Sequence, residues 1–336
     1  MSASAENSVP LLQVRDLCKY FPVMSKGFFK KEIGTVRAAD QINFDLMPGE
    51  TLGIVGESGC GKTTTARTIL RALQPTRGEI LFRTNGQQQN LATMSDVELK
   101  PLRTQMQMIF QDPFSSLNPR MSVGDIVGEP LGIHGIASGD ERRDRVEQML
   151  VKVGLRGEHM NRYPHAFSGG QRQRIGIARA LIMHPSLVVA DEAVSALDVS
   201  VQAQVINLLE DLQDEFNLTY IFVAHDLSVV RHICDRVAVM YAGRIVELAD
   251  TAEIFDDPRH PYTRGLMSAV PHPDPDRTMN FEMSGEVADP ADLPSGCPFH
   301  PRCPHAQDDC KTERPALEAL SEKRQAACHH VAEIGY

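Results

Sequence analysis

Apolar positions in this chain recur in short blocks, and the longer stretches between them carry charged faces. Leu11-Leu12-Gln13-Val14 and Ile42-Asn43-Phe44-Asp45-Leu46, the latter closed by Pro48-Gly49, predict two strands near the start. Thr51–Val55, Glu79–Phe82 and Met106–Phe110 predict three more. Leu187-Val188-Val189-Ala190 is apolar throughout, as a parallel strand buried on both faces requires, and Tyr220–Ala224 repeats that pattern. Helical stretches lie between them: Thr64–Leu73, Val123–Val153 with the charged face Asp140–Arg145, Gly170–Met183 and Val201–Phe216. Alternating buried strands and helices predict an α/β fold of parallel type, with a helical insertion at about 111–180. Near Asp257 the pattern changes. Proline-rich turns follow from Pro258 through Pro271, Pro273 and Pro275 to Pro304, with four of the seven cysteines. This stretch predicts a small separate module with little regular structure.

One turn carries chemistry. Gly56-Glu57-Ser58-Gly59-Cys60-Gly61-Lys62-Thr63 fits the phosphate-cradling pattern G-x-x-x-x-G-K-[ST] and sits between the strand at Thr51–Val55 and a helix. Its glycines let backbone N–H groups curl around a phosphate, and the helix start adds its positive dipole end. Lys62 would reach the β/γ-phosphates and the Thr63 hydroxyl would hold Mg²⁺. Cys60, inside the turn, reads as a spacer rather than a catalyst. The run Leu187–Ala190 ends in Asp191-Glu192, where the Asp can hold the nucleotide's Mg²⁺ and the Glu can orient and deprotonate a water. Ser168-Gly169-Gly170-Gln171 opens the helix near Gly170, and its unpaired N–H groups make a second anion site. Two phosphate-binding helix starts in one chain are explained most simply if one reads the nucleotide of a neighbouring subunit.

Composition narrows the class. At 336 residues with 42% hydrophobic content, the chain suggests one large α/β domain with an appendage, or two domains. No apolar run approaches the ~20 residues of a bilayer span, and the polar start MSASAENS is no signal peptide. A peripheral or soluble protein on the ATP-containing side of the membrane is expected. The net charge of -10 argues against nucleic acid held by phosphate neutralisation, and the absence of Trp against a stacking platform. Seven cysteines, an odd number, read as thiols or metal ligands before disulfides.

Taken in order, these motifs resemble those of ABC transporter ATP-binding subunits over residues 11 to about 250. Gly56–Thr63 matches Walker A, Gln111 the Q-loop, Ser168–Gln171 the signature and Leu187–Glu192 Walker B. Ser195-Ala196-Leu197-Asp198 matches the D-loop and His225 the switch histidine. The resemblance implies a P-loop ATPase with a RecA-like core, an N-terminal antiparallel β portion and a helical subdomain. It also implies roles. Phe21, or its neighbour Tyr20, would stack on adenine, and Gly56 through Thr64 would hold the phosphates. Thr63, Gln111 and Asp191 would serve Mg²⁺, with Gln111 linking that site to the membrane partner. Glu192 would be the general base, and His225 would contact the γ-phosphate. Ser168, Gly169, Gly170 and Gln171 would complete the opposite subunit's site in a head-to-tail dimer. Ala193 departs from the family, which commonly has proline after the Walker B glutamate.

Three stretches resemble the dipeptide and oligopeptide importers of bacteria: Phe110–Pro119, Tyr163–Phe167 and Arg259-His260-Pro261-Tyr262-Thr263. The last opens that group's C-terminal extension, which places an ATPase domain at 1–258 and an extension at 259–336. The resemblance implies a subunit on the cytoplasmic face of the bacterial inner membrane. Its partners would be two permeases, a second related ATPase and a periplasmic or extracellular substrate-binding protein. A DNA- or ribosome-acting ABC ATPase is the rival. Only about a hundred residues separate Lys62 from Ser168, without a heptad run, and the chain holds one cassette. An exporter, often fused to its membrane domain, lacks this extension.

Cys297-x₅-Cys303-x₆-Cys310-x₁₇-Cys328 puts four thiols in a span too poor in apolar residues for a core of its own, so a metal could stabilise it. The spacing is not the C-x₂-C of structural zinc, and four thiolates also suit an iron–sulfur cluster. Similar patterns in peptide-importer ATPases are associated with a [4Fe–4S] cluster, which that resemblance favours. Zinc and unligated thiols remain open, with His300, His305, His329 and His330 as substitute ligands.

Overall fold

The computed structural model describes residues 9–25, 31–112, 114–269, 285–286 and 288–333. The polar start, Pro113, Pro271, Pro273 and Pro275 lie outside them. Over these residues the chain falls into two compact units. One holds Met47–Glu50 and Met94–Val223, the other 9–46, Thr51–Thr93 and 224–333.

In the first unit three parallel strands lie side by side. Met106–Ile109 pairs with Leu187–Asp191, which pairs with Thr219–Val223. Leu187–Asp191 and Thr219–Val223 are buried at every residue, the burial that their unbroken apolar runs require. The helical stretch read as Val123–Val153 is two helices, Val123–Ile133 and Gly139–Lys152. Gly135 and Gly139 at positive φ break it. These two helices pack on each other and on helix Gly169–Leu181, burying Val127, Leu131, Val146, Leu150 and Ile175. Helix Val199–Phe216 ends at Asn217, a left-handed cap that turns the chain into Thr219.

The second unit contains an antiparallel sheet ordered Glu32–Leu46, Leu12–Met24, Arg77–Thr84 and Gln87–Asn90. Its strands place Leu12, Val14, Ile42, Leu46, Ile80 and Phe82 in the core. Strand Thr51–Val55 pairs in parallel with Arg236–Tyr241. Arg236–Tyr241 and Arg244–Asp250 form a hairpin without a counterpart in the sequence reading. Its turn, Ala242-Gly243, has positive φ at both residues, and Ala-Gly is a weaker turn signal than the usual Asn-Gly.

The cysteine-bearing stretch belongs to this same unit. Its Gln325–Ala326 strand adds to the edge of Arg244–Asp250, and the Ala327 N–H donates to Val246 O at 2.8 Å. Beneath that edge the fully buried Glu247 pairs with buried Arg324 at 2.9 Å. Glu247 also accepts the backbone N–H groups of Arg259 and His260, each at 2.8 Å. A carboxylate so deep is tolerable only when paired this fully. The segment is therefore sewn to the hairpin by backbone pairing and a buried charge network. Neither leaves a hydrophobic pattern in the sequence.

Candidate functional site

The phosphate loop grows out of the fully buried strand Thr51–Val55 and ends in helix Lys62–Ile69. Its bends tolerate only glycine. A Cβ on Gly61, at φ 107°, would lie 1.9 Å from the Ala38 carbonyl oxygen. One on Gly56 would lie 2.2 Å from that of Met240. Lys62 is 6% exposed, and its ammonium donates to the carbonyls of Gly56 (2.8 Å) and Glu57 (3.1 Å). The loop thus presets its own lysine in the turn that wraps a phosphate. Ser58 and Gly59 are exposed at the tip, and Thr63 and Thr64 are half-buried. Cys60 is buried, and burial pushes its thiol pKa up, so the residue fills space and holds a proton. That suits a spacer.

Of the two aromatic candidates, the Tyr20 hydroxyl is tied to Asp40 at 2.5 Å, whereas Phe21 is exposed with the Lys19 ammonium 4.8 Å from its ring centre. Of the two, Phe21 presents the exposed ring, and the Tyr20 hydroxyl is engaged within the fold. His225 is exposed, and the next residue, Asp226, caps helix Leu227–Ile233 by accepting the Ser228 N–H at 2.9 Å.

The carboxylates stand in the first unit, at the end of strand Leu187–Asp191. Asp191 is 1% exposed. Glu192 adopts a left-handed φ of 48°, uncommon for a residue with a side chain and strained unless its surroundings hold it. Three bonds hold it. Its N–H donates to Val223 O at 2.8 Å, and its carbonyl accepts the Ser195 N–H (3.1 Å) and hydroxyl (2.9 Å). The Gln111 amide then donates to the Glu192 carboxylate at 2.6 Å. Eighty-one positions apart in sequence, the two are in direct contact. Ala193 is buried.

Ser168 caps helix Gly169–Leu181 in a reciprocal box, accepting the Gln171 N–H at 3.4 Å while the Gln171 side chain accepts the Ser168 N–H at 3.1 Å. A Cβ on Gly170 would lie 2.4 Å from a Val201 methyl. Ser168 itself is exposed. Lys62, Thr63, Phe21 and His225 thus belong to one compact unit, and Gln111, Ser168, Asp191 and Glu192 to the other.

Cys297, Cys303, Cys310 and Cys328 line one cavity together with His300, His305, His329 and His330. Burial pushes the Cys297 and Cys303 thiols up to about 11, and that of Cys328 up as well. Against burial, the nearby backbone of Phe299, His305 and His330 works to lower the thiol pKa of Cys297, Cys303 and Cys328 respectively. Asp309, Cys310 and His330 form the group of described residues whose ligand atoms lie within 4.8 Å of one another. His330 is engaged on both ring nitrogens, by Asp309 at 3.0 Å and Glu333 at 3.2 Å.

Two residues of this region escape sequence reasoning. Tyr262 is fully buried, and its hydroxyl accepts the Glu57 N–H at 2.9 Å. Arg302 grips the Glu57 carboxylate through both terminal nitrogens, at 2.8 and 3.0 Å. The His-Pro-Tyr-Thr element, physically a proline-broken turn in sequence, starts helix Pro261–Ser268 with His260 as its cap. Burial lowers the His260 pKa to about 3, so the ring is neutral.

Comparison with known proteins agrees with this architecture. Residues 39–195 match the ABC transporter family, and residues 246–310 the oligopeptide/dipeptide transporter C-terminal region. The chain is 51% identical over 330 residues to the oligopeptide transport ATP-binding protein AppF of Bacillus subtilis (strain 168), covering 97% of this chain and 99% of AppF. It is 48% identical over 333 residues to the dipeptide transport ATP-binding protein DppF of Haemophilus influenzae, covering 98% and 100%. Among solved structures, the dimeric ATP-binding cassette MJ0796 in a post-hydrolysis state bound to ADP and Pi superposes with a TM-score of 0.61 at 28% identity. That match covers 71% of this chain and 98% of MJ0796. CbiO1 of Clostridium perfringens, part of the transporter complex cbiONQ, gives 0.61 at 30% identity over 74% and 91%.

Proposed function

Since this chain belongs to the ABC transporter ATP-binding proteins that carry the oligopeptide/dipeptide transporter C-terminal region, we propose that it is the ATPase subunit of a bacterial peptide importer and assign its residues as follows. It binds and hydrolyses ATP to power import of dipeptides or oligopeptides, with membrane permeases and a substrate-binding protein as partners. No described helix is long and apolar enough to cross a membrane. In this reading the permeases hold the subunit on the cytoplasmic face of the inner membrane. Residues 1–258 form the ATPase, with its helical part at about 111–180, and 259–336 form the extension.

The observation that carries the hydrolytic reading is the Gln111–Glu192 contact on a backbone pinned at left-handed φ. It aims a carboxylate and makes its position depend on the Q-loop. Phe21 stacks on adenine, the loop Gly56–Thr64 takes the phosphates, and Lys62 neutralises them. Thr63, Gln111 and Asp191 supply the hard oxygen donors that Mg²⁺ prefers, and the ion would neutralise phosphate charge there. Glu192 takes the proton of the attacking water, and His225 contacts the γ-phosphate. The exposed Ser168 and its helix start serve the nucleotide of the opposite subunit, which is a second, related ATPase. The dimeric MJ0796 supports a dimer as the working unit. ATP binding closes the pair and hydrolysis reopens it.

Mass spectrometry of proteins that co-purify with the tagged chain from mildly solubilised native membranes tests this reading. Two polytopic permeases and a second ATPase are expected; recovery of ribosomal or DNA-bound proteins alone would refute transport.

The four thiols fit a [4Fe–4S] cluster. They share one cavity, and their donor set is soft. A tetrahedral zinc, with bonds of about 2.3 Å, would draw four sulfurs into one tight group. The tight group instead contains only Cys310 of the four. Anaerobic protein should be brown, with absorbance near 400 nm (about the usual region for such clusters) and stoichiometric iron and sulfide. A colourless, metal-free anaerobic preparation would remove the cluster.

A further inference from the structure

We infer that the C-terminal cysteine-bearing segment sets the geometry of the phosphate loop, with Arg302 and Tyr262 as positioning residues that hold Glu57 and thereby tune nucleotide affinity. Glu57 follows the first glycine of the loop, and three features make it the loop's anchor. Its carbonyl holds the Lys62 ammonium at 3.1 Å and accepts the Cys60 N–H at 3.3 Å. Its N–H is fixed by the Tyr262 hydroxyl at 2.9 Å. Its carboxylate is clasped by both Arg302 nitrogens. The peptide plane that aims Lys62 is therefore set by residues more than 200 positions away.

The clasp is built for geometry. The Arg302 side chain is 6% exposed and that of Glu57 22%. A two-point guanidinium–carboxylate fork in such a place fixes orientation as well as charge. Arg302 ends a single helical turn, His300–Arg302, and its N–H donates to Phe299 O at 3.0 Å. Its guanidinium lies 5.8 Å from the ring centres of Tyr241 and Phe299. Phe299 in turn packs against Tyr262 at 5.5 Å and Tyr241 at 5.3 Å. The two contacts to Glu57 are thus locked to each other through one aromatic cluster. The turn that presents Arg302 runs between Cys297 and Cys303, so the fold of the thiol site decides whether the fork reaches the loop.

The inference rests on the loop binding nucleotide, and equilibrium binding of a fluorescent ATP analogue to full-length protein, alongside steady-state hydrolysis, tests it. Arg302→Lys keeps the charge and loses the fork; Tyr262→Phe keeps the packing and loses only the hydroxyl. Each should weaken binding, Arg302→Lys by about tenfold, within the usual range for coupling between sites. The turnover number at saturating ATP should stay within about twofold, because the Glu192 machinery is untouched, so the loss appears in KM rather than kcat. Glu57→Ala combined with Arg302→Ala should bind no worse than the weaker single variant. Should Arg302→Lys fold poorly, Tyr262→Phe decides. Wild-type affinity in folded Tyr262→Phe and Arg302→Lys, or a fall in kcat without a change in affinity, overturns the inference. Absence of binding by the wild-type protein would instead overturn the nucleotide reading and this inference with it.

Discussion

Glu192→Gln should bind ATP as the wild type does, hydrolyse it about 10²- to 10⁴-fold more slowly, the usual worth of a general base, and accumulate as an ATP-dependent dimer. The substitution is close to isosteric, and the bonds that hold residue 192 in its left-handed conformation come from Val223 and Ser195, not from its own side chain. Glutamine also retains an oxygen that can accept the Gln111 amide, which donates to Glu192 at 2.6 Å in the native chain. What disappears is the carboxylate to which the proposed mechanism gives water's proton. Hydrolysis and size-exclusion chromatography with and without ATP measure both effects. Turnover within tenfold of wild type would assign the base elsewhere, and loss of ATP binding would make Glu192 a structural residue.

Lys62→Ala should lose most ATP affinity. Charge-assisted hydrogen bonds contribute about 1.5–3 kcal/mol each, so an amine removed from two phosphate groups implies weakening of about 100-fold or more. The loop itself also relaxes. The Lys62 ammonium bonds the carbonyls of Gly56 and Glu57 in a pocket where the side chain is nearly buried, and alanine leaves both without that donor. Titration with an ATP analogue measures the loss, and an affinity within threefold of wild type would place the phosphates elsewhere.

The two effects differ in how visible they were. Lys62 lies in a contiguous pattern with one physical purpose, and its glycines are demanded twice over, by phosphate approach and by the carbonyls of Ala38 and Met240. Only the first demand can be read from a run of letters. Asp191 and Glu192 were legible because an apolar strand ends in them. The contact of Glu192 with Gln111 was not, because it depends on two parallel strands lying side by side, Met106–Ile109 beside Leu187–Asp191.

The extension shows the same division more sharply. Its four cysteines stood out by composition, and its poverty in apolar residues predicted a separate module. It is joined to the Arg236–Asp250 hairpin by backbone pairing and the buried Glu247–Arg324 pair. Periodicity carries no trace of either. Tyr262 and Arg302 were visible as letters in a turn and beside a cysteine, with nothing to say that both reach Glu57.

By itself the sequence determined the alternation of buried strands and helices, the phosphate loop and the carboxylate pair, since each is written in neighbouring residues whose spacing follows local geometry; the order of its motifs carried the resemblance to ABC ATPases. Tertiary structure alone decided that Tyr20 is tied to Asp40 while the Phe21 ring is exposed, that Gln111 holds Glu192, and that the cysteine segment clasps the loop through Glu57. Those outcomes depend on which distant groups the packed core brings within 3 Å of each other, and separation along the chain holds no record of that distance.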